Sequence, residues 1–203
     1  MFLVIEGIDG AGGSTQSRIL KKFLEEKNFK VELISYPDYS NSIGKVVRKF
    51  LNKEFEISAE AQFFLYALDM VKDREKILKN LKEGKIVLAD RYIFSTLAYQ
   101  CFAKKFSFKK GLKLIEIFEL PKPDLVFLLD IKPETSIRRK MKENNKLDRH
   151  EEGLKLLEKV RKGYLKLAKE NVFSKEWVIL NGENKIEEVS KEIREIVSKR
   201  LGE

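Results

Sequence analysis

Short apolar runs alternate with longer stretches of helical periodicity along the whole chain. Phe2 to Glu6, Lys30 to Ser35, Lys85 to Ala89, Leu125 to Ile131 and Trp177 to Leu180 are rich in Val, Ile, Leu and Phe with little polar alternation. Such runs predict strands buried on both faces. Between them, helical patterns run over Ser14 to Lys27, Ile43 to Leu51, Ala59 to Lys82, Phe94 to Ala103, Phe108 to Phe118, Pro133 to Asn144, Glu151 to Glu170 and Lys185 to Leu201. Gly84 ends one helix just before a strand and Pro121-Lys122-Pro123 breaks the chain before another, so both boundaries have a local cause. This alternation predicts an α/β fold with a five-stranded parallel sheet flanked by helices.

The chain has 203 residues, a length that suits one domain with a substantial core, and no linker divides it, so 1–203 is read as a single domain. No apolar stretch reaches the roughly 18 residues needed to span a bilayer. The start, Met1-Phe2-Leu3-Val4-Ile5-Glu6, lacks the basic region of a signal peptide. A cytoplasmic protein without a membrane partner is therefore expected. The single Cys and single His, Cys101 and His150, make neither an internal disulfide nor a thiolate–imidazole zinc site, so any metal would have oxygen ligands.

The net charge of +9 raises the question of nucleic acid, but the lysines are spread among glutamates along the helical patterns and form no block. Nucleic acid is not expected as a partner. A positive surplus also suits small polyanionic substrates, whose local concentration it raises.

Chemistry enters directly after the first strand, at Gly7-Ile8-Asp9-Gly10-Ala11-Gly12-Gly13-Ser14-Thr15. A P-loop requires Gly, four residues, Gly-Lys, then Ser or Thr, between a strand and a helix. Gly7, Gly12 and Ser14 hold their places. Glycines let successive backbone N–H groups curl around a phosphate, the helix N-terminus aims its dipole there, and the Ser14 hydroxyl suits magnesium. Gly13, however, stands where lysine belongs. Loss of such a cation typically costs about 10²–10³ in rate. Three readings are open: an introduced substitution, a natural variant with a cation supplied from elsewhere, or a nucleotide-binding protein that has lost catalysis.

With that loop, Tyr36-Pro37, Asp90-Arg91-Tyr92, Ser95, Ala98-Tyr99-Gln100, Pro121-Lys122-Pro123-Asp124-Leu125 and Asp148-Arg149-His150-Glu151 follow in order. In sequence and spacing together, the chain resembles the thymidylate kinase family of P-loop nucleoside monophosphate kinases over nearly its whole length. The resemblance implies the three-layer P-loop NTPase fold and magnesium-dependent transfer from ATP to dTMP, giving dTDP. It also implies a homodimer and a short basic lid at about 138–150. By the same resemblance Gly7, Ile8, Asp9, Gly10, Ala11, Gly12, Gly13, Ser14 and Thr15 would cradle the phosphates of ATP, with Ser14 and Asp90 at the metal. Arg91 would grip the acceptor monophosphate, and Asp9 would accept from the deoxyribose 3′-hydroxyl. Tyr36, Tyr66, Tyr99, Gln100 and His150 would surround the base.

Some positions depart from the family. Where an arginine usually follows the stacking aromatic, the chain has Asp69, and Arg74 is the candidate substitute. Asp38 and Tyr39 follow Pro37, where some members carry another arginine. Gly10 and Ala11 leave the loop without the arginine of one subtype, so lid cations are expected to act on the transferring phosphoryl group. Arg139 and Arg149 are the leading candidates, the former also contacting ATP, with Lys140 and Lys142 as stand-ins for the absent lysine. Competing structural readings are a strand-end salt bridge for Asp90-Arg91, core packing for each aromatic, a solvated helix face for the basic stretch, and plain packing for His150. A different pyrimidine monophosphate as acceptor, or binding without catalysis, are the functional alternatives.

Overall fold

The computed structural model describes residues 1–144 and 153–202. Five parallel strands form one sheet: β1 (Phe2–Glu6), β2 (Val31–Ser35), β3 (Ile86–Asp90), β4 (Leu125–Asp130) and β5 (Glu176–Asn181), in the order β2-β3-β1-β4-β5. Every residue of β1 and β3 is buried. Consecutive strand residues point to opposite faces, so helices must cover both sides, and the expected α/β architecture follows. The edge strands β2 and β5 are only partly buried, as expected where one side lacks a neighbour.

The helices are α1 (Gly13–Glu26), α2 (Ser42–Leu51), α3 (Ala59–Val71), α4 (Arg74–Lys82), α5 (Ile93–Thr96), α6 (Phe108–Ile117), α7 (Pro133–Asn144), α8 (Leu154–Lys169) and α9 (Ile186–Leu201). Two depart from the sequence expectation. The pattern over Ala59 to Lys82 is not one helix: it breaks at Lys72 and Asp73 into α3 and α4. Neither residue is a helix breaker. Asp73 leaves the helical ψ, and tertiary partners hold both side chains: Asp73 accepts from the Tyr36 hydroxyl, while Lys72 reaches Asp38, as well as Asp69 one turn back on α3. The second departure is the segment Leu97–Ala103, which winds as a π-helix continuing α5 and carries Tyr99 and Gln100. Such π turns are rare and often accompany functional sites.

The topology decides where chemistry can gather. Because β1 lies between β3 and β4, the carboxyl ends of β1 and β3 are neighbours, with Ile5 paired to Asp90. Ligands of open parallel sheets collect at this edge. Strand β3 runs to Asp90, one residue beyond the expected end, which places that carboxylate beside the loop leaving β1. No described helix is long and apolar enough to cross a membrane.

Candidate active site

The loop after β1 is shaped by its glycines. A side chain at Gly7 would meet the Leu129 carbonyl at 2.8 Å, and Gly12 adopts φ 97°, a left-handed conformation that glycine takes without cost. Gly12 caps α1 without a side-chain hydrogen bond, so the first-turn N–H groups, which lack helical acceptors, are left for an anion at the positive end of the helix dipole. They face a cavity of about 200 Å³ bordered by the loop, Asp90, Arg91 and Lys140.

Ser14 Oγ donates to Asp90 Oδ2 at 2.5 Å. A hydroxyl and a carboxylate at the mouth of a phosphate nest fit magnesium, which usually takes one or two protein oxygens and completes its shell with phosphate and water. Among the described residues no cluster of three His, Cys, Asp or Glu side chains gathers. The other carboxylate oxygen, Asp90 Oδ1, sits 2.8 Å from where a Cβ on Gly13 would lie.

A half-buried ion pair resting on buried side chains forms the wall beside this nest. Arg91 sits at φ 68°, with its backbone N–H tied to Ile5 O at 2.9 Å. Its guanidinium donates to Asp9 Oδ1 at 2.7 Å and to Gly7 O at 2.9 Å, while the Tyr99 hydroxyl donates to Asp9 Oδ2 at 2.7 Å. Burial works against the Arg91 charge, but Asp9 and its other neighbours outweigh it and hold the guanidinium ionised. Below lies Glu6, which accepts from Tyr92 N, Ser95 Oγ and the Tyr164 hydroxyl, each at 2.8 Å. Burial pushes the Glu6 carboxyl up to about 7, against the opposing pull of Arg91 and these donors. Burial also raises the Tyr99 and Tyr164 hydroxyls, and the neighbouring carboxylates Asp9 and Glu6 add to it.

On the other side of Asp9 and Arg91 opens a larger cavity of about 340 Å³. Tyr36, Tyr66, Tyr99 and Gln100 all line it, as expected from sequence. Arg74 does not. Because α4 is a separate helix, its guanidinium turns away, donates to the Glu119 carbonyl at 3.0 Å and pairs with the Glu119 and Glu75 carboxylates. Sequence reasoning missed Arg18, which borders this cavity from α1; its spacing of four from Ser14 puts both on one helix face. It also missed the buried hydroxyls of Ser17 and Thr96, which line the cavity and have no hydrogen-bond partner among the described residues. Glu6 and Tyr164 are 158 residues apart, and no local signal joins them.

The sheet delivers α7 onto the loop. Ser136 Oγ donates to Asp9 O at 2.5 Å, and Arg139 donates to Gly10 O and Gly182 O, each at 3.0 Å. Arg139 thus reaches the loop, yet its donors bind backbone carbonyls rather than face the phosphate cavity. Arg149 and His150, with the far half of the expected lid, lie outside the described residues.

Comparison with known proteins agrees with this geometry. The family model described as thymidylate kinase matches residues 5–193. A probable thymidylate kinase of Pyrococcus horikoshii is 36% identical over 98% of this chain and 97% of its own length. One from Thermococcus kodakarensis is 35% identical with full coverage of both chains, and the thymidylate kinase of Thermoanaerobacter sp. is 35% identical over 98% of each. Loop, strand-end pair and tyrosine-lined cavity, met at one sheet edge and matched along the chain, make this protein a member of the thymidylate kinase family.

Proposed function

We propose that this chain transfers the terminal phosphoryl group of ATP to dTMP, giving ADP and dTDP. The observation that carries this reading is a single wall, Asp9 and Arg91, shared by a phosphate nest and a tyrosine-lined cavity. Two substrates bound on its two sides would meet end to end, and positioning with charge neutralisation is most of what phosphoryl transfer needs. Ser14 and Asp90 would hold magnesium, which neutralises charge on the transferring phosphates. The loop residues 7–15 would hold ATP, and Arg91 with Arg18 would bind the acceptor monophosphate. Tyr36, Tyr66, Tyr99 and Gln100 would enclose the thymine, a flat base suited to stacking. Asp9, already accepting from Tyr99, would accept from the sugar hydroxyl as well.

The reading includes one kinase domain over 1–203, acting in the cytoplasm on small molecules rather than nucleic acid. It includes a homodimer, supported by the exposed Phe64 and Leu68, which stand four residues apart on α3; sedimentation at micromolar concentration tests it, and a monomer at every loading would count against it. The main test is a coupled assay of ADP formation with dTMP, dUMP, UMP and AMP as acceptors. Preference for dTMP is the expected outcome. Preference for AMP would sink the reading, and binding of ATP without turnover would leave a nucleotide-binding protein.

A further inference from the structure

The loop between β2 and α2, residues 36–41, gives Tyr36, Pro37 and Tyr39 to the wall of the tyrosine-lined cavity. We infer that Asp69, on α3, is a positioning residue of the acceptor site: its carboxylate clamps the Asp38 backbone N–H and so holds this loop against the cavity. The inference rests on the kinase reading above, which it deepens on the acceptor side.

Asp69 stands one turn beyond Tyr66, on the same face of α3. It borders the cavity but is only 1% exposed, so its oxygens are spent inside the protein rather than offered to a ligand. Oδ2 accepts from Asp38 N at 2.8 Å, and Oδ1 accepts from Asn41 Nδ2 at 3.4 Å. The Lys72 ammonium lies 3.3 Å from Oδ1. Burial works against the charge of Lys72, but Asp73 and Asp69 outweigh it and hold the ammonium ionised. A buried carboxylate needs both a counter-charge and hydrogen bonds; Lys72 gives the first, and the loop gives the second.

The carbonyl of Asp38 is fixed just as closely. A side chain on Gly44 would meet it at 1.9 Å, so only glycine lets α2 press this near. Asn41 Nδ2 donates to the same carbonyl at 2.8 Å, while Asn41 Oδ1 caps α2 by accepting from Ile43 N and Gly44 N. Asp38 is therefore gripped at its N–H from α3 and at its carbonyl from the start of α2. The arginine that the family resemblance leads one to expect at position 69 carries donors only and could not accept from the Asp38 N–H; a carboxylate is the type this contact needs.

A wall fixed before the substrate arrives spares binding the cost of ordering it. The effect of Asp69 therefore belongs in the affinity for the acceptor. Among the described residues that border the phosphate nest none comes from this loop, so ATP binding and the transfer step are left untouched.

The test compares the parent chain with Asp69→Ala, Asp69→Asn and Gly44→Ala, measuring dTDP formation, binding of dTMP and of ATP by calorimetry, and backbone hydrogen exchange over residues 36–41. Asp69→Ala is expected to raise the KM for dTMP about tenfold or more, the scale of a buried hydrogen bond to a charged group, with kcat and ATP affinity within about threefold. Asp69→Asn keeps an oxygen for the Asp38 N–H and should recover most of that loss. Gly44→Ala, which pushes on the Asp38 carbonyl from the other side, should raise the same KM. Both alanine variants should speed exchange in the loop while β1 and β3 stay protected. A KM shift below about twofold in Asp69→Ala, an equal loss of ATP affinity, or an Asp69→Asn variant as impaired as Asp69→Ala would overturn the proposal. A parent chain that binds dTMP without making dTDP would sink the kinase reading alone, and the same thresholds then apply to the Kd for dTMP; a parent that binds no dTMP would overturn both.

Discussion

The two sides of the Asp9–Arg91 wall are built by different means. On the nest side the groups facing the ligand are backbone N–H donors, held by glycine conformations and by the contacts of α7 on the loop. On the cavity side they are side chains from α1, β2, α3 and the π-helical segment, each brought in by packing. A nest of backbone donors survives the loss of a side chain, which is how the chain can carry Gly13 and still present an anion site. A cavity of side chains has no such reserve, because every contact depends on the placement of one residue.

The sharpest way to break this comparison is to remove the shared wall. Arg91→Met takes its cation from the half-buried Asp9 beside Tyr99, and loss of one charged partner at such a site costs about 1–3 kcal/mol. Turnover should fall at least 10³-fold on both substrates, with a lowered Tm. Steady-state kinetics and thermal melts check it, and a loss confined to the acceptor KM would show that the wall serves one side alone.

Beneath the wall, Glu6 joins β1 to α5 and α8. Its folded carboxyl, raised from 4.5 to about 7, favours the protonated form in the native state. The stability this contributes is therefore full below about pH 4.5 and lost as pH rises through about 7, a span worth about 3 kcal/mol. Glu6→Gln does not titrate, so its stability relative to the parent should climb by about that amount between pH 4.5 and 7.5 in denaturant unfolding. A parallel pair of curves would refute the raised carboxyl.

Smaller effects distinguish Arg18 of α1, at the acceptor cavity, from Arg74 of α4, which turns away from it. Arg18→Ala, at the cavity edge, should raise the KM for dTMP roughly tenfold, the scale of one charged hydrogen bond. Arg74→Ala, on the far side of the α3–α4 break, should change it less than about twofold. The reverse order would mean that α4 turns its arginine inward when substrate binds.

Much of this molecule was legible in the residues. Buried apolar runs announced the sheet because a strand covered on both faces needs no polar alternation. The glycine loop announced itself because only certain residue types adopt its backbone. Asp90 and Arg91 were found as a strand-end pair, and Tyr36, Tyr66, Tyr99 and Gln100 by family spacing. Arg74 was misjudged, since nothing local in Val71-Lys72-Asp73 stops a helix. The break comes with Tyr36 and Asp38, which hold Asp73 and Lys72 from elsewhere in the chain.

By itself, then, the sequence determined the strands, the loop and the family, because these follow from periodicity, backbone preference and motif order, while the α3–α4 break and the π-helical turn came with the tertiary fold. Only the tertiary structure decided which cation faces which cavity. Arg139 and Lys140 are neighbours in a basic run, and no pattern separates them. The contacts of Ser136 and Arg139 on the loop orient α7, so that Arg139 meets carbonyls while Lys140 borders the phosphate cavity. Rotation about a helix axis is set by what the helix packs against, and that information lies about 130 residues away along the chain, in the carbonyls of Asp9 and Gly10.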